Sequence, residues 1–139
     1  MPQNYYDFDV RIAYADTDRM GVVYYANYLV LFERGRTEFL RNLGVRYRDL
    51  EEKQRIFMPA MESHVEYLAP AHYDDLIKVR TYISELGGAH LVFKYNITLV
   101  ESGALVARGT TKHAVVNLLW RPTRLPADLH ALIEKNLTK

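Results

Sequence analysis

Asp18 is the side chain in this 139-residue sequence best placed to do chemistry. It lies in the stretch Tyr14–Tyr28, YADTDRMGVVYYANY, where a turn rich in Asp and Gly leads into a long apolar-faced segment. A lone Asp in a loop most often hydrogen-bonds its own backbone. Here, however, the apolar run Val22-Val23-Tyr24-Tyr25 follows at once. A carboxylate beside apolar surface is partly desolvated, which strengthens it as a base or nucleophile. Tyr25 and Ala26 stand where a helix is expected to begin, so their N–H groups fall among the four that lack helical acceptors. A substrate carbonyl oxygen could take one of them, and the positive end of the helix dipole favours the charge that grows there. Gly21 permits close backbone approach or a positive φ. Asn27 is expected to cap the helix, with orientation of water or substrate as the alternative.

Other chemistries find less support. Asp16-x-Asp18 with Gly21 has the opening of a calcium loop, but Met20 and Asn27 stand at the fifth and twelfth positions, where oxygen ligands belong. The five His are scattered without an HExxH motif, and His64 with Glu62 and Glu66 reads as a polar outer strand face, so no metal is expected. With no Cys, disulfides, thiolate catalysis and Cys-ligated zinc are excluded. Gly87-Gly88 lies between expected strands rather than before a helix, so there is no phosphate loop, and no Ser sits in a GxSxG elbow. The formal charge of +1, from 18 basic and 17 acidic residues, gives no global field for nucleic acid or an anionic membrane. Any anion binding must therefore be local.

The elements that position Asp18 can be read from periodicity. Tyr6–Tyr14 alternates as a strand, with Phe8, Val10, Ile12 and Tyr14 on one face. After the turn Ala15–Gly21, the spacing predicts a helix over Ala26–Leu43, with Tyr28, Leu29, Leu31, Phe32, Phe39, Leu40 and Leu43 as a wide apolar face. Arg34 with Glu38 and Glu33 with Arg36 are spaced to pair on its polar face. Gly35 falls among the apolar positions and implies close backbone packing, and Gly44 suits the helix C-terminus. Tyr47–Gln54 reads as a short helix. Strands follow at Pro59–Tyr67, broken at Ala69-Pro70, then at Leu76–Leu86, Leu91–Val100 and a long, bent Ala104–Leu118, with turns at Gly87-Gly88 and Ser102-Gly103. Leu91, Phe93, Tyr95, Ile97 and Leu99 share one face. Ala127–Asn136 reads as a terminal helix. Strand, long helix, then four antiparallel strands is an α+β order, in which a sheet curled around one helix buries that helix's apolar face.

Hydrophobic residues at 49% and charged residues at 25% fit one globular domain over residues 1–139. MPQNYYDFDV has no basic region followed by an apolar run, so no signal peptide is expected, and no run reaches the roughly 20 apolar residues that span a bilayer. No membrane insertion is expected, and the absence of Cys fits a cytoplasmic location. Eleven tyrosines suit half-buried surfaces such as subunit interfaces.

The sequence resembles the 4-hydroxybenzoyl-CoA thioesterase family of hotdog-fold acyl-CoA thioesterases and is similar to its Tol–Pal-associated branch. The resemblance rests on Arg11-Ile12, then Thr17-Asp18, Gly21-Val22-Val23, Tyr24-Tyr25 and Tyr28, and it continues through Phe32–Gly44 and Glu66–Thr81. It implies a hotdog fold, a five-stranded antiparallel sheet wrapped around one long helix. It also implies hydrolysis of acyl-CoA to acid and CoA, with Asp18 as nucleophile or general base and the Tyr25 backbone N–H polarising the thioester carbonyl. Gly21, Val22, Val23, Ala26 and Asn27 are then expected to line the substrate. No metal or redox cofactor is implied, coenzyme A being part of the substrate, and the assembly implied is a homodimer or homotetramer with sites between subunits. Two positions depart from the pattern. Tyr25 stands where many relatives in that branch carry His, and Gly87–Ala89 stands where some relatives carry Arg and Lys, leaving His90 and Lys94 as the nearest cations for the CoA phosphates. Two rival readings remain: an acyl-carrier-protein thioesterase, encouraged by the neutral Gly87–Ala89 loop, and a non-catalytic hotdog dimer that binds acyl-CoA or acts as a scaffold. A dehydratase is disfavoured, because the helix carries no His-containing hydratase motif.

Overall fold

The computed structural model describes residues 4–138. β1 (Tyr6–Arg11), β2 (Ala60–Tyr67), β3 (Leu76–Leu86), β4 (His90–Leu99) and β5 (Leu105–Ala114) pair antiparallel in the order β1-β3-β4-β5-β2. α1 (Asn27–Asn42) packs mainly against β3 and β1, while α2 (Tyr47–Glu52) and α3 (Ala127–Lys135) complete the chain. The alternation seen in the sequence decides the faces. Ile77, Val79, Thr81 and Ile83 of β3 and Leu91, Phe93, Tyr95 and Ile97 of β4 are buried, whereas Lys94 between them is exposed. Tyr28, Leu31, Phe32, Gly35, Phe39 and Leu40 form the buried stripe of α1, and each large apolar side chain so buried contributes about 2 kcal/mol. The Phe32 ring stacks on Tyr95 at 4.2 Å, which ties helix to sheet.

Two glycines set how closely the layers approach. A Cβ on Gly35 would come within 2.5 Å of Thr81 Oγ1 and 2.9 Å of Val79 Cγ1, so the close packing expected there is present. A Cβ on Gly109 would run into the His64 carbonyl oxygen of the neighbouring strand and lie 2.5 Å from Phe32 Cε2. The carbonyl belongs to a paired strand and cannot rotate away. Gly109→Ala is therefore expected to cost about 2 kcal/mol by overpacking. Urea unfolding measures this, and an unchanged midpoint would show that the two strands part more easily than their register implies.

Several expectations need correction. β1 ends at Arg11 rather than Tyr14, and Tyr14–Asp16 forms a 3₁₀ turn that leaves Tyr14 exposed. The cause is local side-chain competition: Asp16 Oδ2 accepts the Ala13 N–H at 2.8 Å and the Thr17 hydroxyl donates to the Tyr14 carbonyl at 2.8 Å. Leu29 lies outside the buried stripe of α1 and is exposed. The pairs expected on α1 give way to others. Glu38 pairs with Arg41, Arg34 lies over the Phe8 ring at 5.2 Å, and Arg36 turns inward to donate to the Tyr95 hydroxyl at 3.5 Å. β5 stops at Ala114 instead of reaching Leu118. The chain then bends, with Val116 bridging Phe57 on one side and Pro122 on the other.

Beneath α1 runs a buried polar chain whose direction is fixed by its ends. His113 Nδ1 lies 2.9 Å from the Met58 carbonyl, which can only accept, so Nδ1 carries the proton. Nε2 then accepts from the Thr111 hydroxyl at 2.8 Å, and Thr111 in turn accepts from the Tyr95 hydroxyl at 2.6 Å. Burial holds the His113 imidazole down at about 4, with the Arg36 guanidinium adding to the effect against the Met58 hydrogen bond.

Candidate active site

The Asp18 turn is built by its own hydrogen bonds. Asp18 Oδ1 accepts the Met20 N–H at 2.9 Å, the Gly21 N–H donates to the Asp18 carbonyl at 2.9 Å, and the Asp18 N–H donates to the Val22 carbonyl at 2.9 Å. The ordinary fate of a loop Asp is thus realised at one oxygen. For Oδ2 no hydrogen bond is found among the described residues. Gly21 has φ +85 and nothing within 4 Å of where a Cβ would stand. Its role is the left-handed turn conformation rather than close approach. The returning strand segment is held on both sides, by the Thr17–Val23 bridge and by the Val23 N–H donating to the Ala71 carbonyl at 2.8 Å.

The helix start is equally determined. The Tyr24 N–H donates to the Asp16 carbonyl at 2.9 Å, and the Asn27 N–H closes a turn onto the Tyr24 carbonyl at 2.8 Å. Between them, the N–H groups of Tyr25 and Ala26 have no acceptor among the described residues. Ala26 is the residue at the cap position, and Asn27 does not cap as expected. Its Nδ2 donates to the Asp16 carbonyl at 2.9 Å and ties the helix to the 3₁₀ turn. Asn27 is a strut from inside the first helical turn, outside the substrate lining.

A cleft of about 350 Å³ joins these parts. It is lined by Asp18, Val22, Val23 and Tyr25, together with Met20, Tyr28 and the segment Tyr67–Pro70. Of the expected substrate residues, Val22 and Val23 line it, whereas Gly21, Ala26 and Asn27 do not. The far wall, Tyr67–Pro70, carries no local sequence pattern that marks it as part of the site. Tyr67 meets Tyr25 and Tyr28 edge-on at 6.4 and 5.4 Å, and its hydroxyl donates to the Tyr25 carbonyl at 3.1 Å. The available signal is the strand break at Ala69-Pro70, which marks where β2 leaves the sheet and can face the helix start. The aromatic wall is electrostatically coherent. Burial pushes the Tyr28 phenol up to about 12, with the Tyr67 phenol adding to it. Burial, then the Tyr25 phenol, raises Tyr67, and the neighbouring Tyr25 hydroxyl, with a smaller push from Asp18, raises Tyr24. Tyr24, Tyr28 and Tyr67 therefore stay neutral at pH 7.

The expected phosphate cations divide. His90 Nε2 is bonded to Glu85 Oε2 at 2.8 Å, whereas Lys94 stands exposed on the outer sheet face beside Asn96 and Arg108. Among the described residues no group of three or more His, Asp or Glu is placed to hold a metal ion, and no helix is long and apolar enough to cross a membrane.

Residues 12–133 match the model of the thioesterase-like superfamily. The chain is 37% identical over 132 residues to an acyl-CoA thioesterase of Haemophilus influenzae, YbgC, covering 94% of this chain and 96% of that one. It is 37% identical over 109 residues to a putative acyl-CoA thioesterase of Bacillus subtilis, YneP, covering 78% of each. The crystal structure of a DHNA-CoA thioesterase from Staphylococcus aureus superposes with a TM-score of 0.89 at 32% identity, over 94% of this chain and 89% of that one. The sheet order and central helix described above are those of the hotdog fold.

Proposed function

The chain belongs to the thioesterase-like superfamily, and on that premise we propose that Asp18 and the Tyr25 backbone N–H hydrolyse acyl-CoA to free acid and CoA. Its class is thioester hydrolase acting on acyl-CoA. The observation that carries the residue assignment is that Asp18 and Tyr25, whose N–H has no acceptor among the described residues, both line one apolar cleft. Oδ1 is held by the Met20 N–H, and Oδ2, which has no hydrogen bond among the described residues, is assigned the reaction. Oδ2 adds to the thioester carbonyl carbon, or takes a proton from a water that does so. The Tyr25 N–H, with the helix dipole behind it, stabilises the oxyanion, and collapse expels CoA as thiolate; in the direct route water then cleaves the acyl–Asp18 anhydride to free acid and carboxylate, and in the water route the proton held by Asp18 passes to the thiolate. One such donor is worth roughly 3 kcal/mol in other enzymes. The Val22, Val23 and Leu68 side chains exclude water from the acyl group.

The fold is read as one domain, at work in the cytoplasm where acyl-CoA is found. It is further read as a homodimer or homotetramer, because Tyr25, Tyr67 and Leu68 stay 61%, 51% and 48% exposed beside the edge strand β2, where a second copy would close the cleft. Light scattering tests the assembly, and a monomer at working concentration would remove it from the account.

The test of the activity is thiol release from a panel of aliphatic and aromatic acyl-CoA substrates. Steady CoA release on at least one is expected, and tight binding without release would make the chain a binding module. The paired state of His90 favours running matched acyl-carrier-protein substrates beside the panel. Tyr67→Phe keeps the ring contacts but removes the bond to the Tyr25 carbonyl. That bond anchors the Tyr25 backbone, whose N–H is assigned to the oxyanion, so kcat is expected to fall by about 5-fold at nearly constant KM, in line with about 1 kcal/mol for a neutral hydrogen bond. A rise in KM alone would show that the hydroxyl touches substrate binding instead.

A further inference from the structure

Beyond β5 the chain forms a short hairpin with unusual chemistry at its tip. The Asn117 N–H donates to the Arg121 carbonyl and the Trp120 N–H to the Asn117 carbonyl, both at 2.9 Å. Asn117 Oδ1 accepts the N–H groups of Leu119 and Arg121 at 2.9 and 3.2 Å. One side chain thus fixes the whole turn. The residues it presents are Leu118, Leu119 and Trp120, exposed to 59%, 74% and 64%. Trp120 has φ +63, a conformation that disfavours bulky residues and that Gly or Asn would satisfy at no such cost. Single exposed apolar residues are ordinary, but three in succession on a fixed turn form the kind of exposed apolar run that marks an interaction site.

The charge along this segment of sequence is one-sided. From Leu105 to Pro126 the sequence holds Arg108, Lys112, Arg121 and Arg124 and no Asp or Glu. Arg121 and Arg124 are exposed and flank the apolar tip, while Arg108 is engaged by Glu66 elsewhere on the sheet. Trp and Leu on a tip, with arginines just behind, match the layering of a lipid interface, in which the rings and aliphatic side chains enter the headgroup–acyl boundary and the cations meet phosphate.

We propose that the Asn117–Arg121 hairpin docks the protein reversibly on an anionic phospholipid bilayer. Only the tip side chains enter the surface layer and no segment spans it, so the expectation of no membrane insertion is narrowed rather than reversed. With a formal charge of +1 the attraction is local and salt-sensitive. The site is also separate from the cleft within the chain. Tyr67 at the cleft pairs with Ala107, whereas β5 leaves the sheet after Ala114, roughly 20 Å further along at about 3.3 Å per residue.

Trp120 is the single Trp of the chain, so fluorescence excited at the red edge, where the eleven tyrosines do not absorb, reports the tip alone. Adding phosphatidylcholine vesicles that contain phosphatidylglycerol is expected to move its emission to shorter wavelength and to bring quenching by brominated acyl chains. Phosphatidylcholine alone should do so weakly, and salt should reverse the effect. Arg121→Gln and Arg124→Gln should each weaken vesicle binding about 5-fold. Leu118→Ser with Leu119→Ser, which retains the fluorophore, should abolish it with an unchanged thermal midpoint. An emission indifferent to anionic vesicles overturns the proposal. So does a shift that tracks protein concentration without lipid, which would assign the tip to a second copy of the chain.

Discussion

Asp18→Asn is expected to lower kcat for acyl-CoA hydrolysis by about 10³-fold while leaving KM within a few-fold and stability nearly unchanged. The substitution is close to isosteric. The carboxamide oxygen that replaces Oδ1 can still accept the Met20 N–H, so the turn that presents the side chain survives. The Val22 and Gly21 backbone bonds do not involve the side chain at all. What is lost is the negative charge and the basicity of Oδ2, which both routes need, whether direct attack or activation of water. What would remain, on the proposed mechanism, is the Tyr25 N–H and the apolar cleft, neither of which supplies a nucleophile. Thiol release measures the result. Full turnover by purified Asp18→Asn would remove Asp18 from the chemistry.

The second large effect is on stability and comes from His113, far from any solvent. With the native imidazole at about 4 and the unfolded one near 6.5, the unfolded chain binds more protons throughout that window. Stability is therefore undiminished above pH 6.5 and falls as pH drops, by about 3 kcal/mol once pH 4 is passed. The structural reason is visible in the hydrogen-bond directions. A protonated Nε2 would point a donor at the Thr111 hydroxyl, which already donates to it, and the whole run to Tyr95 would have to reverse inside the core. Urea unfolding at pH 7 and pH 5 on the wild type and on His113→Gln tests this, because carboxylate titration is common to both. The same pH dependence in the two proteins would contradict it.

Much of this arrangement could be read from residue patterns because it rests on local rules. The alternation over Leu91–Leu99 and the stripe Tyr28–Leu40 reflect burial that period alone decides. The Asp18 turn and the free N–H at Tyr25 also follow from short-range chemistry, namely an Asp two residues before the N–H it accepts and a helix that must begin somewhere. What stayed hidden depends on contacts distant in sequence. The Tyr67 bond to Tyr25 spans 42 residues, and no local pattern announces it. Asn27 cannot be told from a cap until Asp16 is seen to lie within reach of its amide. The apolar tip reads as the end of a long strand, because Val115, Val116, Leu118 and Leu119 continue an apolar run. Only the Asn117 turn shows that the last of them point outward.

The most direct measurement is a structure of Asp18→Asn holding an uncleaved acyl-CoA. The thioester carbonyl oxygen should lie about 3 Å from the Tyr25 nitrogen, with its carbon facing the side chain at position 18 and the acyl group against Val22, Val23 and Leu68. An acyl-CoA whose thioester sits outside that cleft, with the Tyr25 N–H bonded to water or to protein, would contradict the account.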